Sequence, residues 1–410
     1  MIMKVTKTNK LLGDVYISGS KNAALPCICA ALLTKEQVKL RNIPDIEDVN
    51  NLLAIIKDLG VRVKKEEDEV IINAKKVKTV VTNKLVSKLR GSYYLMGALL
   101  SRKRKVEIIY PGGCEIGLRP IDFHLQGFKD LGCEVIEEDI IEITKKIDKE
   151  SIIQFPTISM GATINLILAS CLGNTATTII NPSLEPETIC VIEMLNKMGA
   201  SIIIKDDKIY IKGVKKLSKV EHSIIYDRIE AGSYLFLAGA IPNSKVTIHN
   251  INYKHLEIII VVARKIGIKI TKEDNRMIVE GPPKINKTNI LIGAYPFFPT
   301  DLQQILTVVL TKSSNSKIED SIFPNRITHL KELRKMQAYV YDYNRTIYIK
   351  KSTLKSSKVK ATDLRCAFAL IVAGAMANGT TYIKDIDYLF RGYTKPVEKL
   401  KSIGLNVEII

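Results

Sequence analysis

The residues of this chain best equipped for chemistry stand together in the stretch PGGCEIGLRP at 111–120. Cys114 is a thiol able to act as nucleophile or proton donor. Arg119, five residues on, supplies a fixed positive charge that lowers a thiol pKa and suits a phosphate or carboxylate. Glycines between them let a ligand approach the main chain. The stretch follows a predicted strand at 106–110 and precedes a predicted helix from 121, so it is a connecting loop. Taken alone it reads equally as a glycine-rich turn around a packed, inert cysteine.

Other polar residues cluster just before six nearly all-apolar runs, at 23–33, 93–100, 164–172, 234–241, 305–310 and 366–377. A helix apolar on every side must be buried on every side. The polar groups at its start are Ser20-Lys21-Asn22, Arg90-Gly91-Ser92, residues 159–163, Asp227-Arg228-Ile229-Glu230, Thr300-Asp301 and Thr362-Asp363-Leu364-Arg365. Asp, Ser and Thr are ordinary caps at such positions. Lys21, Arg90, Arg228 and Arg365 are not, because a cation there opposes the helix dipole. That cost, repeated at equivalent positions, points to an anionic ligand, which helix N-termini also favour.

The elements that must position these groups repeat. A helix end, a glycine turn and a strand recur six times, as KDLGVRV (57–63), KDLGCEV (129–135), NKMGASI (196–202), RKIGIKI (264–270), RKMQAYV (334–340) and KSIGLNV (401–407). Only the fifth lacks the glycine, with Gln337 in its place. A period of about 70 residues is too long for a solenoid repeat and suits an α/β subdomain. Each unit reads as buried helix, strand, outer helix and paired strands. Three units per half give two α/β domains with sheets wrapped outside buried helices. With helix starts facing inward, the polar groups would line one cleft.

The totals agree. A chain of 410 residues is long enough for two domains, and 46% hydrophobic with 25% charged residues is a soluble globular composition. No apolar run approaches the ~20 residues of a membrane helix, and residues 1–13 lack a signal-peptide pattern, so a cytoplasmic location and no membrane partner are expected. Seven cysteines without a C-x-x-C pair suit free thiols better than disulfides or zinc; Cys27 and Cys29 read as core residues. The net charge of +18 favours anionic partners. Dispersed lysines without interleaved aromatics argue against nucleic acid and leave a phosphorylated small molecule.

The motifs GSKNAALP (19–26), LRGSYYLMGALL, PGGCEIGLRPID, DRIEAGSYL, FPTDLQQ, ATDLR and RGY (391–393) occur in one order along the chain. In them the chain resembles the UDP-N-acetylglucosamine 1-carboxyvinyltransferases, enolpyruvyl transferases of the EPSP synthase superfamily, over essentially its full length. The resemblance implies a two-domain inside-out α/β barrel of six repeated units, three per domain. The first domain would span 21–225 and carry the cysteine loop 111–120; residues 1–20 plus 226–410 would form the second, with the active site in the cleft between them. It further implies transfer of the enolpyruvyl group of phosphoenolpyruvate to the 3-hydroxyl of UDP-N-acetylglucosamine, with phosphate released and no cofactor or metal. The expected partners are these two small molecules, and the expected state is a monomer.

The resemblance also implies roles. Lys21 and Asn22 match the pair that contacts phosphoenolpyruvate, with Arg90, Arg119 and Arg391 the arginines of the anion site. Cys114 matches the acid that protonates the methylene carbon, Asp301 the candidate base for the sugar hydroxyl, and Asp363 a carboxylate needed nearby. Pro120, Ile121, Asp122, Phe123, Thr157, Ile158, Ser159, Met160 and Ile322 match segments touching the nucleotide sugar, together with Asn22, Arg90, Arg119 and Asp301. The chemistry asks for such types, because adding an alcohol across an enol ether needs one proton delivered to carbon and one removed from oxygen. The intermediate holds phosphate and carboxylate on one carbon, which cations and helix starts must stabilise. His124, one turn past Pro120, is expected to make a structural hydrogen bond.

Four positions depart from the family pattern. Thr157 stands where lysine is usual, Phe123 for leucine, Pro324 for glutamate before Asn325-Arg326, and Phe390 for the aspartate before Arg391. None removes a catalytic group, and several bear on the acceptor. Two alternatives therefore stand beside the main reading: an enolpyruvyl transferase with another nucleotide acceptor, and a non-catalytic UDP-sugar-binding paralogue.

Overall fold

Six four-stranded sheets follow one plan in the computed structural model, which describes residues 1–112 and 121–410. The sheet of Ser151–Gln154, Ala176–Ile180, Lys208–Lys212 and Ser201–Lys205 serves as the example. Its first two strands are parallel and the rest antiparallel. Parallel neighbours need a long crossover, here the buried Met160–Ser170 helix. The outer Pro186–Lys197 helix then leads into the Ser201–Lys205 and Lys208–Lys212 hairpin.

Helix, strand, outer helix and hairpin match the repeat legible in the sequence. The leading parallel strand is new, and twice it comes from far along the chain. Leu12–Tyr16 pairs in parallel with Lys245–His249, and Val220–Ser223 with Gln37–Arg41. Ile2–Thr6 completes another sheet between Thr380–Lys384 and Val407–Ile409. These pairings bring residues 1–18 into one unit with 226–410, while 19–112 and 121–225 make up the other. Each unit has its own hydrophobic core.

The all-apolar runs are the central helices. Every residue of Arg228–Ala240 is buried, as is every residue from Leu364 to Ala375 of the Leu364–Met376 helix. Burying one such Leu, Ile or Phe side chain stabilises by roughly 1.5–3 kcal/mol. Close approach is set by small residues: a Cβ on Gly97 of Tyr94–Lys103 would stand 2.1 Å from the Asn165 carbonyl oxygen. Asn165 also accepts the Gly97 N–H at 2.8 Å and donates to the Tyr93 carbonyl at 3.0 Å. The outer helices end in the left-handed region, with φ of +88° at Gly60, +83° at Gly132, +97° at Gly199, +98° at Gly267 and +82° at Gly404. Gln337 adopts the same conformation at +65°. Among the described residues no helix is long and apolar enough to cross a membrane.

Candidate active site

In the unit of residues 19–112 and 121–225, Lys21 is the first residue of the Lys21–Ala30 helix. Its ammonium stands 3.3 Å from Asp48, a buried carboxylate in the first turn of Glu47–Asp58. That acid offsets the cost of a cation at a helix start. Asn22 follows, half-buried. Arg90 opens a short 3-10 turn, donates to the Pro111 carbonyl at 3.4 Å and lies 5.8 Å from the Tyr93 ring centroid. Burial pulls its pKa below the usual guanidinium value, with Tyr93 opposing. Cys114, Arg119 and Pro120, which carry the expected acid and part of the anion site, lie outside the described residues.

Beyond them, Ile121 is buried and Asp122 is exposed in the first turn of the Asp122–Asp130 helix. The Phe123 ring is tilted against Phe155, centroids 6.2 Å apart. Thr157 is exposed, and Ile158, Ser159 and Met160 are half-buried. Ser159 accepts the Ala162 N–H at 3.4 Å as N-cap of Met160–Ser170, an ordinary capping role. His124 makes the structural bond expected of it. Asn165 Nδ2, which can only donate, meets its Nδ1 at 2.9 Å, so that nitrogen accepts and the ring is neutral. Burial, helped by Arg90, pulls its pKa down to about 3.

In the unit of residues 1–18 and 226–410, Asp301 sits in the Thr300–Leu302 turn that leads into Gln303–Leu310. One carboxylate oxygen accepts from Arg326 at 2.8 Å and the other from Arg365 at 2.7 Å. Burial pushes the Asp301 carboxyl up, but the Arg365 and Arg326 guanidiniums prevail and hold it well below the usual carboxylate range. The side chain keeps 24% exposure, while Arg326 and Arg365 keep 2% and 3%. An ionised carboxylate clamped this way accepts a hydrogen bond from a hydroxyl readily but has low proton affinity.

Asp363 caps Leu364–Met376, its Oδ1 accepting from the Arg365 and Cys366 N–H groups at 2.8 and 3.2 Å. Its Oδ2 accepts from Gln304 at 3.0 Å, and Arg326 lies 3.9 Å away. Asp320 accepts from the Thr300 hydroxyl at 2.7 Å and from the Ile322 and Phe323 N–H groups at 2.9 Å, which fixes the segment bearing Ile322. Pro324 is half-buried just beyond. Arg391 ends the Ile386–Arg391 3-10 turn, half-buried, and Phe390 packs on the core.

The structure thus joins Asp301 and Asp363 through Arg326 and Arg365. Sequence reading marked Arg365 as a cation for a ligand; its partner within the unit is Asp301. Arg326, Asp48 and Asp320 escaped notice as functional, since they precede or begin outer elements without the buried-helix signature. Arg228 lies 5.9 Å from the Tyr295 ring centroid, while Asp227 caps its helix by accepting from Ile229 and Glu230.

The family model described as EPSP synthase (3-phosphoshikimate 1-carboxyvinyltransferase) matches residues 5–400. A Staphylococcus epidermidis protein named UDP-N-acetylglucosamine 1-carboxyvinyltransferase 2 is 38% identical over 99% of this chain and 98% of its own. A protein of that name from Listeria innocua is 41% identical over 97% of this chain and 95% of its own. Among solved structures, the enolpyruvyl transferase NikO from Streptomyces tendae superposes with a TM-score of 0.91 at 19% identity, covering 99% of this chain and 98% of that one. An EPSP synthase from Acinetobacter baumannii gives 0.77 at 15% identity, with 99% of each chain covered. These two share the fold, a two-domain α/β architecture of six repeated units, and the full-length matches settle the lineage: the chain belongs to the EPSP synthase family, among the UDP-N-acetylglucosamine 1-carboxyvinyltransferases.

Proposed function

We propose that this chain transfers the enolpyruvyl group of phosphoenolpyruvate to the 3-hydroxyl of UDP-N-acetylglucosamine and releases phosphate, the first committed step of peptidoglycan synthesis. The observation that carries this reading is 38–41% identity across nearly the whole of both chains with relatives of that one name. In this reading the sugar oxygen bonds to the central carbon of phosphoenolpyruvate while Cys114 gives a proton to the methylene carbon. The adduct bears phosphate and carboxylate on one carbon; loss of phosphate and of one methyl proton restores the double bond. Lys21, Asn22, Arg90, Arg119 and Arg391 hold the anionic groups. Pro120, Ile121, Asp122, Phe123, Thr157, Ile158, Ser159, Met160 and Ile322 shape the nucleotide-sugar site.

Asp301, ionised at neutral pH, accepts the hydrogen bond of the sugar hydroxyl. Its low proton affinity means the proton leaves only as the new carbon–oxygen bond forms, not beforehand. Asp363 fixes Arg326 and the start of its helix. The enzyme acts in the cytoplasm as a monomer.

The test is the mass of the product after incubation with both substrates. A gain on UDP-N-acetylglucosamine of one enolpyruvyl group, with one phosphate released, is expected. Alkylation of Cys114 by fosfomycin should abolish it, and Cys114→Ala should not turn over. Because Phe123 and Thr157 depart from the family pattern, a panel of UDP-sugars and uridine monophosphate belongs in the same experiment. Turnover with another acceptor and none with UDP-N-acetylglucosamine would replace the acceptor; binding without any turnover would replace the enzyme reading.

A further inference from the structure

Three side chains far apart in sequence meet in the core of the 19–225 unit. Cys27 lies in the middle of Lys21–Ala30, Cys190 on Pro186–Lys197 and His222 on the Val220–Ser223 strand. All three are buried, at 0%, 1% and 3% exposure. Their ligand atoms lie within 4.8 Å of one another, and Cys190 Sγ is 3.3 Å from His222 Nε2. No other group of three His, Cys, Asp or Glu side chains among the described residues comes so close.

Apolar packing alone does not require two thiols and an imidazole to converge in a core. His222 turns Nε2 to the Cys190 sulfur, so Nε2 is the nitrogen placed to bind a metal, while Nδ1, which has no hydrogen-bond partner, would carry the ring proton. We propose that Cys27, Cys190 and His222 hold a structural zinc ion that ties these three elements together.

The geometry asks little of the fold. On a tetrahedral zinc, sulfur–sulfur and sulfur–nitrogen separations are ~3.8 and ~3.6 Å, following from zinc–sulfur and zinc–nitrogen bonds of about 2.3 and 2.0–2.1 Å. The Cys190–His222 pair must open by a few tenths of an ångström, within reach of side-chain rotation. Two thiolates and a neutral imidazole around a divalent cation sum to zero charge. A monovalent copper ion would leave a net negative charge buried there, which is costly. With three protein ligands, the fourth position of a tetrahedral zinc would be left to a water. The ion would brace the helix that begins at Lys21 and Asn22 against the last strand of its unit, a structural role separate from the cofactor-free transfer reaction.

The experiment is elemental analysis of the full chain, purified without chelator from zinc-replete cells, and of the same chain produced in cobalt-supplemented medium. One zinc per chain is expected, with a thiolate-to-cobalt charge-transfer band in the cobalt protein. Cys27→Ser and Cys190→Ser should lose both, while Cys29→Ser, two residues along the same helix, should keep them. The wild-type measurements need no variant to fold. Wild-type protein with neither zinc nor a cobalt–thiolate band would overturn the proposal. So would copper in place of zinc, zinc undiminished in both ligand variants, or thiol titration in denaturant showing Cys27 and Cys190 joined as a disulfide.

Discussion

Two guanidiniums on one carboxylate make Asp301 the most sharply defined group of the candidate site, and they set its proton affinity. Removing one of them in Arg326→Gln lets the Asp301 pKa rise toward the ordinary carboxylate value. The carboxyl is then protonated at a higher pH, so the acid limb of kcat/KM should move upward in pH. At neutral pH kcat should fall by roughly 10²-fold, typical of a lost preorganised charge, and Arg326→Lys should recover part of it. An acid limb that stays in place would show that the profile does not report Asp301. Asp301 and Arg365 were legible in the sequence because both stand at buried-helix starts. Arg326 was not, because nothing in its local pattern says that a loop residue reaches that carboxylate. His329 makes a second prediction, about stability. It is fully buried, neither ring nitrogen has a hydrogen-bond partner, and burial pushes its pKa down to about 3, although Asp363 opposes this. Its folded pKa lies below its unfolded one, so the unfolded chain takes up the proton first as pH falls. Stability is therefore full above the unfolded pKa of about 6.5 and declines toward pH 3, with about 2 kcal/mol lost between pH 7 and 5. His329→Leu removes that contribution. Urea unfolding should show the variant gaining on wild type by about that amount between the two pH values; curves that keep their spacing would count against a buried neutral histidine.

The helix stops show what can be read from a sequence at the level of elements. Five glycines and Gln337 occupy one backbone region, and the glycines announce it because other residues pay a penalty there. Gln337 bears that penalty, so Gln337→Gly should stabilise the protein by about 0.5–1 kcal/mol, the relief of left-handed strain less the added freedom of the unfolded chain. The reverse change at Gly199 should destabilise by a similar amount. A Cβ there would meet nothing within 4 Å, so only the backbone angle is at stake. Denaturation midpoints moving in opposite directions would bear this out; two shifts of the same sign would not. Strand order was far less legible. The leading strands include the two-residue Val80–Val81 and the three-residue Lys358–Lys360, too short to show an alternating pattern. The pairings of Leu12–Tyr16 and Val220–Ser223 join segments whose partners nothing local specifies. The contact of Gly97 with Asn165 is hidden for the same reason: a glycine in an apolar run does not reveal which helix approaches it.

For the whole molecule, the net charge of +18 gave the sign of the partners at once but not their place. Both proposed substrates are anions, and a strongly positive protein draws anions in over distances set by screening. The Debye length shrinks from about 30 Å at 0.01 M to about 8 Å at 0.15 M ionic strength. If the general charge assists encounter, kcat/KM for both substrates should fall by several-fold up to about tenfold over that range, while kcat at saturation changes little. Salt also competes directly at an anion site, and the two effects must be separated. Lys76, Lys149 and Lys216 are exposed and belong to none of the ion pairs described above. Reversing all three to glutamate weakens the long-range field while leaving the residues that would touch substrate intact. The salt dependence of kcat/KM should flatten in that variant, and its value at low salt should drop toward the wild-type value at high salt. Equal salt dependence in both proteins would mean that anions act at the site itself, and that the surplus lysines serve only as a solvated surface.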